Sequence, residues 1–241
     1  MYNNLEHLKV YNYNKKIRLG STQDGGYVIG LLDGKYDLYI SAGVSNEESF
    51  SRDFIKLYNM NKSNAIAFDG TIENYPYEYT TDITFHKKNI SPFKNQNNVN
   101  LLYFTSNYNN IFLKMDIESC EYDWIQSLSK EQLNSFKQIV IEFHGINDNS
   151  WNVNLETKLN CFKLLADTHY IIHIHGNNHG TLTNNIPDTI EVTYIRKNEL
   201  KENPILNTIP LPQFGIDFPN NWNKPDYNLN FKPFVNYPST F

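Results

Sequence analysis

The sequence predicts an α/β domain built on a seven-stranded, mostly parallel sheet, with helices on both faces and a terminal antiparallel strand pair. Three observations carry that expectation. Buried-strand runs alternate with helical spacing through most of the chain, the pattern of a parallel sheet covered by helices. Two of the strand runs end in an acid, Asp69 and Asp116. The last two β-rich runs are joined by a connection too short for a comfortable helical crossover, which makes that pair antiparallel.

The elements follow in order. Asp37-Leu38-Tyr39-Ile40-Ser41 is a short strand ending in Ala42-Gly43, and Phe50, Phe54, Leu57 and Tyr58 then share one helical face. Asn64 to Asp69 is the second strand and Ile83-Thr84-Phe85-His86 the third. Ile111 to Asp116 is the fourth, followed by a helix carrying Tyr122, Trp124, Ile125 and Leu128. Gln138 to Phe143 is the fifth, strongly β-branched, and Leu155, Leu159, Phe162 and Leu165 mark the next amphipathic helix. Tyr170 to His175 and Thr189 to Ile195 close the sheet, joined through Gly176, Gly180 and Pro187. Residues 1–35 are expected to form an N-terminal cap segment, 36–200 the α/β domain, and 201–241 an irregular tail. The tail should pack on the domain, because Phe214, Phe218, Trp222, Phe231 and Phe234 would be unusual in a solvated linker.

Composition bounds the function. With 241 residues, 40% of them hydrophobic, the chain can bury a full core. The net charge of -5 and the lack of a basic stripe argue against a nucleic-acid partner. No apolar run is long enough to insert in a membrane, and the first residues resemble no signal peptide, so a cytoplasmic protein is expected. Cys120 and Cys161 fall in different helical regions and read as reduced thiols.

A nucleoside cofactor is expected at the strand ends, where open α/β sheets bind ligands. The turn Ser41-Ala42-Gly43-Val44-Ser45 lets backbone approach a ligand. Asp69 could accept from both ribose hydroxyls, and Asp116 faces the same crevice. A dinucleotide fingerprint is missing, since only Gly43 is present. Ser45-Asn46-Glu47-Glu48 reads as a capping box with Ser45 at N-cap, and its carboxylates would repel a pyrophosphate. A sulfonium cofactor without phosphate, S-adenosylmethionine, suits such an acidic rim better. Acidic strand ends also occur in purely structural α/β domains.

The combined motifs resemble the FkbM-type family of S-adenosylmethionine-dependent methyltransferases. The matching residues are Arg18-Leu19-Gly20 with Asp24-Gly25-Gly26-Tyr27, the run Tyr39 to Ser45 with Ser49-Phe50, and Phe68-Asp69-Gly70-Thr71-Ile72. They continue with Leu113 to Glu118, Val140 to His144, His173 to Asn178 and Glu191 to Tyr194. The family usually has Gly where Ser119 stands, and a second small residue in the cofactor turn. The resemblance implies a Rossmann-like class I methyltransferase fold, with Gly43 and its neighbours bordering the methionine part and Asp69 the ribose. It places Lys88-Asn89-Ile90-Ser91 near adenine, and makes Ser41, Ala42, Ser45, Ser49, Gly70, Asp24, Tyr27 and Asp116 further cofactor candidates. Asn177, Asn178 and Glu118 become candidates for substrate contact, although Asn177, Asn178 and His179 read equally as a tight turn.

Methyl transfer to a hydroxyl needs alignment and removal of a proton. Glu142 and His144 share one strand face, as do His173 and His175 on the next strand. Asp116, Glu142 and His144 therefore form a candidate site for Mg2+ or Mn2+, with His175 outside it. The metal-free alternative makes His144 or His175 the general base, oriented by Asp116 or Glu142. His173 is read as a core histidine satisfied by backbone. Glu118 and Glu121 are read as capping or lining their helix. The favoured acceptor is a hydroxyl of a sugar, as a nucleotide-linked sugar or glycan precursor for surface polysaccharide. Alternatives are another small molecule (a polyketide hydroxyl or an amine) and a catalytically silent binding module; the sequence leaves a homo-oligomer open.

Overall fold

The computed structural model describes residues 3–146 and 148–237. An antiparallel hairpin opens the chain, β1 (Lys16–Leu19) with β2 (Tyr27–Gly30). The Arg18 guanidinium closes its turn by donating to the carbonyls of Ser21 and Gln23. The main sheet begins with β3 (Leu38–Ala42), β4 (Ala65–Phe68) and β5 (Thr84–His86), and α1 (Ser49–Tyr58) crosses between the first two. A small parallel pair, β6 (Asn89–Ile90) and β7 (Asn98–Val99), then precedes α2 (Leu102–Asn107).

β8 (Ile111–Met115) returns to the sheet, followed by α3 (Glu121–Gln126), α4 (Lys130–Leu133) and β9 (Phe136–His144). After α5 (Leu155–Thr168) come β10 (His169–Gly176), the short hairpin β11 (Leu182–Thr183) with β12 (Ile186–Pro187), and β13 (Thr189–Arg196). The order across the sheet is β10-β13-β9-β8-β3-β4-β5. β13 inserts between β9 and β10 and runs antiparallel to both, while the remaining pairs are parallel. This is the seven-stranded, Rossmann-like α/β fold class that the sequence predicts.

Alternation along the strands sorts the core onto two faces. Leu38, Ile40 and Ala42 point to the face covered by α3 and α5, with Tyr122, Phe143 and Phe162. Tyr39 and Phe112 point to the other, where Phe54 of α1 stacks on Tyr39 and lies tilted against Phe112, with ring centroids 4.6 and 4.1 Å away. Leu57, expected on the buried side of α1, is exposed at the helix end. The expected capping box at Ser45 does not form. Ser45 has φ +50°, and α1 begins at Ser49. The backbone N–H groups of Val44 and Ser45 go instead to the Asp69 carboxylate, which pins this turn to the end of β4 and delays the helix.

Among its described residues the C-terminal segment has no regular strand, yet Leu211, Leu229, Phe234 and Val235 are buried. Phe218 and Phe231 are half-buried, whereas Phe214 and Trp222 are exposed. No helix of the described residues is long and apolar enough to cross a membrane.

The turn after β9 is held by a buried cation. Lys158 of α5 donates to the carbonyls of Gly145 (2.5 Å), Asp148 (3.1 Å) and Ser150 (2.9 Å). Replacing it by methionine strands three acceptors, so Lys158→Met should lower unfolding stability by about 3 kcal/mol. Urea denaturation checks this, and a loss below about 1 kcal/mol would show that water replaces the ammonium without cost.

Candidate functional site

The turn after β3 is forced to be tight. Gly43 has φ +80°, and a Cβ placed on it would lie 1.6 Å from the carbonyl oxygen of Asp116. Only glycine lets the ends of β3 and β8 close together here. Lys114 reinforces the junction, its Nζ donating to the Gly43 carbonyl at 2.5 Å and lying 5.8 Å from the Tyr27 ring centroid.

Asp69 is the second fixture. Its Oδ2 accepts from the N–H groups of Val44 (2.9 Å) and Ser45 (3.0 Å), and its Oδ1 from the N–H (2.7 Å) and hydroxyl (2.5 Å) of Thr71. Burial favours the neutral acid, but these donors win and hold Asp69 below its ordinary pKa. All four acceptor positions of the carboxylate are taken. Asp69 thus clamps the turn, and a further donor could reach it only by displacing one of these four.

Between this turn and the N-terminal hairpin lies a cavity of about 790 Å³. Of the predicted cofactor residues, Asp24, Tyr27, Gly43, Ser45, Asp69, Asn89, Ile90 and Asp116 line it. Ser41, Ala42, Ser49 and Gly70 do not. The Ser41 hydroxyl donates to buried Glu48 and the Ser49 hydroxyl to Glu47, and Ala42 is buried within the sheet. Gly70 backs Asn89, whose Oδ1 would lie 2.3 Å from a Cβ there. Glu47 and Glu118 add acids to the wall, and Lys88 and Lys114 are its lysines.

A carboxylate–imidazole cluster lies at the carboxyl ends of β8 and β9. Asp116, Glu142 and His144 each offer one ligand atom, all within 4.8 Å of one another. His144 Nε2 is 3.3 Å from Glu142 Oε1, 3.6 Å from Glu118 Oε2 and 4.0 Å from Asp116 Oδ1. Asp116 Oδ1 is buried and has no hydrogen-bond partner among the described residues. On the other side of the ring, Nδ1 is 3.4 Å from Glu121 Oε1, which also accepts from the His144 backbone N–H. Glu121 is fully buried, so its predicted role in capping the helix gives way to orienting His144. Trp151, with φ +60°, packs its ring 4.8 Å from that of His144.

Charge in this cluster is strongly perturbed. Burial and the neighbouring Asp116 push Glu142 up to about 8, and burial lifts Asp116 to about 6 against the pull of Lys114 and His144. Burial opposes a charge on His144, but Glu121 and Glu142 outweigh it and raise the imidazole to about 11.

The histidines of β10 lie one strand further out. His175 has both nitrogens engaged, Nδ1 with Glu191 Oε2 at 3.1 Å and Nε2 with Asp226 Oδ1 at 3.0 Å. Against its burial, these two carboxylates raise it to about 10. His173 is buried, but its ring is satisfied by side chains and not by backbone: Nε2 faces Asp217 at 2.8 Å and Nδ1 faces the Lys16 ammonium at 3.3 Å. Asn177 donates to Glu142 Oε2 at 3.2 Å. Asn178 is occupied with the tail, donating to the Asn221 carbonyl at 2.9 Å and accepting from the Asn221 N–H at 2.6 Å.

Sequence reasoning therefore assembled Asp116, Glu142 and His144 but missed the groups that position them. Glu191 carried a signal, since it stands in a matched motif and its register on β13 puts it opposite Glu142. Asp217, Asn220 and Asp226 carried none, because the tail has no periodicity to place them.

No family model matches the chain, and no curated protein matches it in sequence. Solved structures give distant likenesses, each at 11% identity. A fibrillarin/Nop5p complex has a TM-score of 0.38, with 66% of this chain and 72% of that one covered. A precorrin-6y C5,15-methyltransferase from Geobacter metallireducens has a TM-score of 0.33, with 69% and 83% covered. A putative DNA modification methyltransferase encoded within an E. coli prophage has 0.35, with 69% and 49% covered. Likeness this low carries nothing about chemistry.

Two outcomes follow. Gly43→Ala should lower stability by roughly 3 kcal/mol, from the left-handed backbone and the forced separation of β3 from β8; urea unfolding reads it, and a neutral result would refute the close approach. The second is a pH effect. His175 is raised from an ordinary 6.5 to about 10, so its ion pairs contribute fully below pH 6.5, and that contribution is lost as pH rises through 10. The stability gap between wild type and His175→Gln should shrink from pH 7 to pH 10; a gap constant with pH would mean that His175 is neutral throughout.

Proposed function

We propose that the chain is an S-adenosylmethionine-dependent O-methyltransferase, acting on a hydroxyl of a sugar, presented as a nucleotide-linked sugar or glycan precursor, with a divalent cation on Asp116, Glu142 and His144. One observation carries the reading: the Asp116–Glu142–His144 cluster stands at the carboxyl ends of β8 and β9, and Asp116 is shared with the wall of the large cavity beside Gly43. The resemblance of the motifs to the FkbM-type family supports the same assignment.

The residues present fit the cofactor. Asp24, Glu47, Asp69, Asp116 and Glu118 line the cavity, a lining that repels phosphate and suits a cationic ligand. S-adenosylmethionine, when bound, supplies a methyl group on a cationic sulfur. Gly43 allows backbone approach, Asn89 and Ile90 border the adenine end, and Asp116 stands between cofactor and acceptor.

The acceptor must lose a proton. His144 and His175 are raised by their carboxylate neighbours and hold their protons at neutral pH, so neither serves as the base. That leaves Asp116, lifted only to about 6, as the proton acceptor, since Glu142 near 8 holds its own proton at neutral pH. The donor set also fits a metal. The partnerless Asp116 Oδ1 and the Nε2 of His144 face one another across the cluster, and Glu121 fixes a proton on Nδ1, leaving Nε2 for coordination. A cation bound there would lower the pKa of a hydroxyl that touches it. An amine acceptor fits less well, because a carboxylate-rich pocket stabilises it as the non-nucleophilic ammonium.

The test uses methyl-labelled cofactor, a panel of nucleotide-linked sugars, and Mn2+ or EDTA. Transfer should require the cation and fall about 100-fold or more in Asp116→Asn, while S-adenosylhomocysteine still binds. Binding without transfer to any sugar refutes the acceptor class and favours a silent module or another small molecule. Absence of S-adenosylhomocysteine binding refutes the cofactor assignment.

A further inference from the structure

Glu142 of β9 and Glu191 of β13 are register partners on adjacent antiparallel strands, and both are buried. Like charges at opposed positions destabilise a sheet, and burial removes the water that would screen them. Asp24, from the turn between β1 and β2, joins them: the three residues each offer an oxygen within 4.8 Å of the others.

Asn220 of the tail enters this cluster. It is 3% exposed, and its Nδ2 donates to Asp24 Oδ1 at 3.1 Å and Glu191 Oε1 at 2.6 Å. Its Oδ1 is buried and has no hydrogen-bond partner among the described residues. A carboxamide carries an acceptor beside its donor, and a half-turn about χ2 brings Oδ1 to the place where Nδ2 bridges the two acids. The same side chain that plugs the cluster without a cation becomes an oxygen ligand with one. Glu191 Oε2 is turned away to His175, leaving Oε1 for this position.

We propose that Asp24, Glu142, Glu191 and Asn220 form a second divalent-cation site, sharing Glu142 with the Asp116–Glu142–His144 cluster. It rests on the metal reading of that first cluster only through Glu142. Four oxygen ligands select a hard ion such as Mg2+ or Mn2+. Asp24 is exposed and gives the ion a route from solvent. Two cations flanking one carboxylate would hold two neighbouring oxygens of a polyhydroxylated acceptor.

The metal-stripped full chain is titrated with Mn2+ by calorimetry and followed by electron paramagnetic resonance, with S-adenosylhomocysteine affinity measured in parallel. Wild type should bind two equivalents, the second broadening the signal of the first through spin coupling. Asp24→Asn and Glu191→Gln should each abolish one equivalent and leave the other, and Asn220→Ala should weaken that equivalent about tenfold. Asp24 is a surface residue, so its variant tests the site even where Glu191→Gln fails to fold. A single equivalent in wild type overturns the proposal and leaves the first cluster standing. Two equivalents that survive Asp24→Asn also overturn it, as does a loss of S-adenosylhomocysteine affinity in that variant with Mn2+ binding unchanged. No Mn2+ bound at all overturns both metal assignments, while the cofactor reading is judged separately by the S-adenosylhomocysteine measurement.

Discussion

Buried negative charge at one end of the sheet is the constraint around which this molecule is arranged. Asp116, Glu121, Glu142 and Glu191 crowd the carboxyl ends of β8 and β9, the adjacent amino end of β13 and the helix start beside them. Unpaired, each would cost several kcal/mol on burial. The fold answers with imidazoles: His144 between Glu121 and Glu142, His175 between Glu191 and Asp226. Each histidine takes a proton that free imidazole would release near neutrality, so the cluster is held by protons as much as by packing. A hydrophobic core of similar volume would be more stable.

That constraint also explains the tail. Asp217, Asn220 and Asp226 are the groups that complete His173, the Asp24–Glu191 pair and His175. The segment is irregular because its task is to deliver separate polar groups to fixed points on β10, β13 and the N-terminal hairpin. A strand or helix could present them only at regular spacing. Its apolar side chains Leu211, Leu229, Phe234 and Val235 anchor it, so the polar groups are held without regular hydrogen bonding.

What could be read in the sequence follows from this division. Strand positions and faces were legible because alternation and β-branched runs report burial directly, as Leu38, Ile40 and Ala42 on one side and Tyr39 on the other illustrate. Asp116, Glu142 and His144 were legible as neighbours because strand ends in a parallel sheet converge. The N-terminus of α1 was misread because the Ser45 side chain fits a cap, while the interaction that decides the turn comes from Asp69, a residue on another strand. Glu121 does stand in the first turn of α3, where an acid suits the helix dipole, but only the tertiary fold puts it against His144. Local chemistry is visible in sequence; a long-range partner that overrides it is not.

The pairing of Glu121 with His144 bears most on chemistry. An imidazole flanked by carboxylates on both nitrogens can hold two protons, and Glu121 and Glu142 keep His144 in that form. A cation can occupy the Nε2 side only by replacing that proton, and the exchange relieves Asp116 and Glu142 at the same time, since a divalent charge does for them what the imidazolium does with one. Proton and cation are thus alternative solutions to the same buried charge, and they differ in what they leave free. The proton makes His144 an acid with no lone pair to offer. A cation held by Asp116, Glu142 and Nε2 would leave the Glu121–Nδ1 contact as it is. The arrangement that stabilises the fold without a ligand is therefore the one that a ligand can most readily take over.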